Sequence, residues 1–507
     1  MSKLRMPYQC IEKAGKFLVA ARGSSIDLFS LDDLSLLSTW KFPHAQGLST
    51  KGGTQSTTKN HSINMLETPA LDTEPPHTSP AAKRRKLSDE SSTQAVEAGE
   101  RKSMTKPNSR SDSVASGLED PAFITLASTR GGQHVIAVTG EDKTIRVPMP
   151  KRPCAITITQ DNSTIIAADK FGDVYSLPLL FSELEVDQTP GSIATPRTES
   201  SSKPFTPAAN ELTVHSQRNR RALENQKAQS NKASEKPELT FEHRLLLGHV
   251  SMLTDVAAVD IQGRGYIISA DRDEHIRVSR GIPQSHIIEG FCLGHTEFIS
   301  RLCIPQGKPN LLISGGGDNE LFVWDWLTCR LLSKTDLQSL IADVLLEYKA
   351  KNDGSYPKDE IKVTVSNIVH AKHADWNDGA DMLLVTSEGV PALFTFLLTP
   401  DNILKHIQTV KLPGNALALT TYALTPEGSI IVSVDSIHKP GSITDCRSEA
   451  EATEPLRLYM FRGNELNNKS IFKPTNAYDE KQSVKLTNLL YNLENLRKRD
   501  GEAKEFE

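Results

Sequence analysis

Short apolar runs recur along this chain with turns between them. Ile165-Ile166-Ala167-Ala168, Tyr266-Ile267-Ile268-Ser269, Leu311-Leu312-Ile313-Ser314, Leu383-Leu384-Val385-Thr386 and Ile430-Ile431-Val432-Ser433 are each strand-length and followed by an acidic or glycine-rich turn. The pattern predicts a protein made almost wholly of short β-strands. Two stretches break it with helical spacing. Leu337, Leu340, Ile341, Val344, Leu345 and Tyr348 follow a potential N-cap at Asp336 and predict an amphipathic helix near 336–349, packed on its own sheets. Leu486, Leu489, Leu490, Leu493 and Leu496 predict a second helix within a charged tail, 479–507.

The turns themselves repeat. Asp142-Lys-Thr-Ile145-Arg-Val147, Asp273-Glu-His-Ile276-Arg-Val278 and Asp318-Asn-Glu-Leu321-Phe-Val323 share one form, and the last two begin 45 residues apart. That period suits four short strands forming one propeller blade. Ala168-Asp169-Lys-Phe-Gly172-Asp173-Val174-Tyr175 is a degenerate copy. In phase with the turns, Gly248-His249 precedes Asp273 by 24 residues and Gly294-His295 precedes Asp318 by 23, and Trp324-Asp325 closes the latter unit. Together these features resemble the WD-repeat family. The resemblance implies an all-β propeller, with its two best units at about 244–290 and 291–332; strand counting starts the others near Lys16, Pro121, Ala155, Val363 and Ala416, which makes seven blades, although the folded length divides equally well into eight at this period.

Composition divides the chain further. Residues 44–120 contain no Phe, Tyr or Trp, and 182–239 contain one, Phe205, among Ser, Thr, Pro and charged residues. Such segments bury too little apolar surface to offset their ordering entropy, so both are read as disordered inserts, the second placed between blades. Propeller sequence then occupies 1–43 (a first blade), 121–181 and 240–478. Lys83-Arg84-Arg85-Lys86, within the first insert, reads as a nuclear import signal rather than a plain solvated run, which predicts a nuclear location. The start of the chain lacks a signal-peptide pattern and no apolar stretch reaches membrane-span length, so a soluble intracellular chain with no membrane association is expected. Six cysteines without a C-x-x-C pair read as reduced, mostly buried thiols. A formal charge of -5 does not suit unaided gripping of a phosphate backbone, so any nucleic acid is expected to be held mainly by a partner.

Catalytic chemistry is sparse. His295, Asp318 and Ser314 have the residue types of a nucleophilic relay, with Trp324 nearby. In WD-repeat proteins the loop His bonds the turn Asp, and Ser and Trp extend a buried network; recurrence of the set as His249, Ser269 and Asp273 favours that staple over a catalytic site. Ser279 stands where the second Trp would be, and the remaining blades, lacking Gly-His, are expected to close by packing alone. There is no G-x-G-x-x-G, P-loop or H-E-x-x-H sequence, and Ser314-Gly-Gly-Gly317-Asp318 is a strand-to-strand turn. No enzymatic activity, metal site or cofactor site is expected in this chain.

A finer resemblance spans about 55 residues. Leu245-Leu-Leu-Gly-His-Val-Ser-Met-Leu-Thr-Asp255, Ser269-Ala-Asp-Arg-Asp-Glu-His-Ile-Arg-Val-Ser279 and Ile288-Glu-Gly-Phe-Cys-Leu-Gly-His-Thr-Glu-Phe298 closely resemble the non-catalytic WD-repeat subunit of the tRNA (guanine-N7)-methyltransferase. The resemblance implies a heterodimer in which a separate Rossmann-like subunit binds S-adenosylmethionine and methylates a guanine of the tRNA variable loop, while the propeller binds, stabilises and activates it. On this reading Arg277, then Arg272, contact an acidic group of the catalytic subunit, and Arg277→Glu weakens that contact without unfolding the propeller. The alternative classes are a general nuclear scaffold, such as a ubiquitin-ligase substrate receptor, and a propeller hydrolase. Trp324-Asp325-Trp326-Leu327 lacks the arginine of a W-D-x-R ending, which disfavours the receptor.

Overall fold

A computed structural model describes residues 5–41, 121–140, 145, 149, 151–180, 243–350, 361–372, 381–422, 428–462, 465–472 and 488–498. These form a ring of antiparallel sheets, each built from consecutive strands. The first blade runs from the inner strand Cys10–Ala14 to the outer strand Leu36–Lys41, and the second position holds two strands, Phe123–Ser128 and Val135–Thr139. The third blade runs from Pro153–Ile158 to Arg244–Gly248, the fourth from Leu253–Ile261 to Ile288–Cys292, and the fifth from Ile299–Cys303 to Arg330–Asp336. The sixth runs from Val365–Lys372 to Leu404–Lys411 and the seventh from Ala416–Tyr422 to Glu465–Ile471. The seven inner strands contact one another in a closed circle. Of the seven blades expected, six are complete four-stranded sheets among the described residues, and a two-stranded sheet occupies the other position.

The core lies between blades as a series of apolar wedges. Ile268, Val278, Leu312 and Trp324 fill the wedge between the fourth and fifth blades, and Leu18, Phe29, Ile431 and Leu458 fill the one that closes the ring between first and seventh. Because both faces of a blade are covered by neighbours, central strands read as continuous apolar runs; Leu311–Gly316 and Ser429–Val434 are buried at every position. Between the first blade and the second position the join carries polar bonds. Gln9 Nε2 donates to the Phe123 carbonyl at 3.0 Å and the Ser128 hydroxyl to Glu12 at 2.8 Å.

The helix Gln338–Ala350 forms as its spacing predicts, with Asp336 Oδ1 accepting the Gln338 amide at 3.1 Å. Its face of Leu337, Ile341 and Val344 joins the wedge between fifth and sixth blades, so its own propeller covers it. The second insert is placed differently from expectation: Arg244–Gly248 pairs with Asp173–Pro178, so the insertion falls inside the third blade, before its outer strand. Both inserts, 44–120 with Lys83, Arg84, Arg85 and Lys86 and 182–239, lie wholly outside the described residues, as does most of the Asp142 turn. In the tail, 488–490 is helical, Glu494–Leu496 is a short 3-10 turn, and 491–493 between them is not helical, so the described part is not one continuous helix.

Candidate functional site

The fifth blade carries the expected network. His295 Nδ1 lies 2.7 Å from Asp318 Oδ2 and its Nε2 lies 2.7 Å from Ser314 Oγ. Trp324 Nε1 donates to the same Ser314 oxygen at 2.8 Å, and the Thr296 amide and hydroxyl donate to Asp318 Oδ1 at 2.9 and 2.6 Å. With Nδ1 protonated, every polar group in the chain is satisfied: the carboxylate accepts from imidazole, Nε2 accepts from serine, and serine accepts from indole. Burial pushes the Asp318 carboxyl up, but the bonds from His295 and Thr296 together outweigh it and hold the group below the ordinary aspartate range. Ser314 is 0% exposed and His295 stacks on Phe322 at 3.9 Å between ring centroids. A serine so enclosed cannot meet a substrate, and this geometry is a staple between strands.

In the fourth blade the same staple uses a different acid. His249 Nδ1 pairs with Asp271 Oδ2 at 3.0 Å and Nε2 with Ser269 Oγ at 2.8 Å. Asp271, two residues before the expected Asp273, also takes the amides of Asp273 and His275 on Oδ1, at 2.9 and 3.1 Å. One carboxylate therefore caps the turn and holds the histidine, and Asp273 sits on the surface of that turn. Asp169 repeats the capping role in the third blade, accepting the Phe171 and Asp173 amides, while its buried Oδ2 has no partner. Blades without Gly-His are not closed by packing alone. Asp27 in the first blade receives Tyr8, Arg22 and Thr39, and Asp435 in the seventh receives His438 and Tyr491.

The two arginines assigned to partner contact lie in unequal places. Arg277 is 8% exposed, donates from Nε to Ser279 Oγ at 2.9 Å and from Nη1 to the Gly248 carbonyl at 2.9 Å. Its strand neighbours Ile276, Val278 and Ser279 are buried too. The alternation of a pleated strand does turn Arg277 away from Ile276 and Val278, but in a propeller the opposite face meets the next blade and not solvent. Arg277 occupies the register position of Phe322 and ties its own strand to the end of the third blade's outer strand. Arg272, on the turn, is half-buried and donates from Nε to the Leu496 carbonyl at 2.7 Å.

Near that turn three apolar side chains are exposed. Val250, next to His249, is fully exposed, and Leu293 is 62% exposed beyond the outer strand that carries exposed Phe291. His275 of the turn meets Phe291 edge to face, 6.5 Å between centroids, which joins the Arg272 turn to that strand. Of the six cysteines, Cys292 and Cys303 are buried, and burial pushes the Cys303 thiol up to about 12. Three others are half-buried and Cys446 is exposed, so fewer are enclosed than expected. Among the described residues no three histidine, cysteine or acidic side chains gather as metal ligands, and no helix is long and apolar enough to cross a membrane.

Residues 18–459 match the family described as tRNA methyltransferase TRM82 WD40 domain. The chain belongs to the TRM82 WD-repeat family. It is 45% identical to a Sclerotinia sclerotiorum protein over 99% of this chain and 100% of that one, and 39% identical to a Coccidioides immitis protein over 95% of each. Both relatives bear the name tRNA (guanine-N(7)-)-methyltransferase non-catalytic subunit. The WD40 repeats of RRP9 align at a TM-score of 0.48 and 10% identity, over 91% of this chain and 95% of that one. Membership in TRM82 accords with a staple that merely resembles a catalytic relay.

Proposed function

We propose that this chain is the non-catalytic subunit of a tRNA (guanine-N7)-methyltransferase, docking a catalytic subunit that binds S-adenosylmethionine and most of the tRNA. The observation that carries it is the exposure of three apolar side chains, Val250, Phe291 and Leu293, all within the very segments that resemble the family most closely, with Phe291 meeting His275 of the Arg272 turn. A soluble chain that leaves such side chains in water beside a rigid polar turn has the make-up of an interface centre. The net charge of -5 supports tRNA being held through the partner.

Methyl transfer to bulk tRNA, by the catalytic subunit alone and with this chain, tests the reading. Activity is expected only with both. The double substitution Val250→Asp with Leu293→Asp is expected to weaken assembly roughly 10- to 100-fold, as truncation of interface anchors does, with an unchanged melting temperature. Undiminished co-purification would place the docking surface elsewhere. A nuclear pool is part of the proposal and rests on Lys83, Arg84, Arg85 and Lys86. Replacing all four with alanine in a fluorescent fusion should move the protein to the cytoplasm; unchanged nuclear signal would discard the import role.

A further inference from the structure

One face of the ring, formed by the turns between second and third strands and by the entries to the inner strands, is crossed by residues 488–498. Tyr491 is buried there, accepting from Asn415 Nδ2 at 3.0 Å and donating to Asp435 in the seventh blade. Glu388 of the sixth blade then accepts three consecutive amides, those of Asn492, Leu493 and Glu494, at 2.7, 2.9 and 2.9 Å. Arg497 donates to the Gly317 carbonyl in the fifth blade at 3.1 Å and pairs with Glu297 at 3.0 Å. Lys498 ends the described path on the fourth blade, 2.9 Å from Glu274 and 3.5 Å from Asp273. The segment thus visits four blades in reverse order and closes one end of the central channel, where a cavity of about 310 Å³ is lined by Glu12, Asp255, Arg301 and Leu489 to Leu493.

This path ends on the turn that carries Arg272. From within the blade, Asp271 fixes that turn by accepting its amides. From outside, the C-terminal segment holds it twice: Arg272 Nε donates to the Leu496 carbonyl, and Lys498 lies against both acidic side chains of the turn. Lys498 offsets the charge of Asp273 and Glu274, so a surface meeting this turn encounters Arg272 without two uncompensated carboxylates beside it. The acceptance of three successive amides by Glu388 and the burial of Tyr491 give the segment a defined register, so the position of Lys498 is fixed by the sixth and seventh blades.

We propose that the C-terminal segment 488–498 is a clasp that positions the Arg272 turn for the catalytic subunit, with Arg497 and Lys498 as positioning residues and Glu388 and Asp435 as its anchors. It rests on the reading of this chain as a docking subunit. The clasp makes partner affinity depend on residues far from Val250, Phe291 and Leu293 in sequence and contributed by three other blades.

The test uses the full chain, its Lys498→Glu and Lys498→Arg variants, and a chain ending at residue 487. Amide exchange is measured in 271–275 and in the central strand of the fifth blade, and affinity is measured for the catalytic subunit. Lys498→Glu should speed exchange in 271–275 about fivefold and the truncation by more, while exchange in the fifth blade stays as in the parent for Lys498→Glu. Partner affinity should fall about tenfold with Lys498→Glu and return with Lys498→Arg. Unchanged exchange in both altered chains overturns the clasp. Faster exchange with unchanged partner affinity overturns the positioning role. Should the parent chain bind no catalytic subunit, the docking reading fails by itself, and exchange in the isolated chain still decides whether the segment holds the turn.

Discussion

Replacing His295 with alanine should destabilise the propeller by about 3 kcal/mol or more, and the same change at His249 by roughly 2 kcal/mol. Alanine at 295 leaves the Asp318 carboxylate and the Ser314 hydroxyl short of a partner in a site where Ser314 is fully enclosed, and it removes the ring stacked on Phe322. An unpaired buried polar group costs about 1–3 kcal/mol and a charged one more, so two such groups dominate the lost packing. Each carboxylate keeps two donors on Oδ1 after the change, the Thr296 amide and hydroxyl at Asp318 and the Asp273 and His275 amides at Asp271, so the smaller loss at His249 follows from Arg277 standing where Phe322 stacks on His295. Calorimetry should show melting temperatures falling in the same order. Equal melting of parent and His295→Ala would deny the staple its structural role.

The pH dependence of this term has a definite sign. The carboxyls of Asp318 and Asp271 are both held below their ordinary range despite burial, by His295 and Thr296 in one case and by His249 and the His275 amide in the other. A depressed carboxyl contributes stability that is present above its unfolded value near 4 and is lost as pH falls through the lower folded value. The penalty of His295→Ala is therefore largest near neutrality and shrinks in acid below about pH 4.

Much of the fold was legible because blades repeat. The 45-residue spacing from Asp273 to Asp318 marked two adjacent units, and helical spacing after Asp336 marked the one long helix among the described residues. Asp273 was mistaken for the acid of the staple because sequence aligns it with Asp318, whereas the fourth-blade turn is drawn in by an aspartate two residues earlier, which caps its own amides. Nothing in the motif distinguishes an acid that caps from one that decorates a turn. The second insert was placed between blades because Leu245 to His249 was read as opening a unit, yet that strand pairs backward with Asp173–Pro178. Networks such as Asp27 with Tyr8, Arg22 and Thr39 join residues with no fixed spacing, and they were not legible. The C-terminal path was invisible for another reason: its specificity lies in backbone amides accepted by Glu388, which no side-chain pattern in the tail announces.

Arg277→Glu is expected to destabilise the chain by about 3 kcal/mol, and any loss of partner binding should follow from that damage. The guanidinium now spans Ser279 Oγ and the Gly248 carbonyl, tying a central strand to the start of the His249 loop. Glutamate would set a carboxylate against that carbonyl with neither donor to offer, and at 8% exposure water cannot make up the difference. Burial already lowers the Arg277 pKa, the direction expected where solvation is reduced, and no acidic partner is among the causes of that shift. Arg277→Lys keeps the charge and gives up the fork, so it should cost about 1 kcal/mol. Urea unfolding of the two variants without any partner separates the readings: a midpoint that falls for Glu and slightly for Lys places Arg277 in the blade. A parent-like midpoint for Arg277→Glu combined with failure to co-purify would return this residue to the interface.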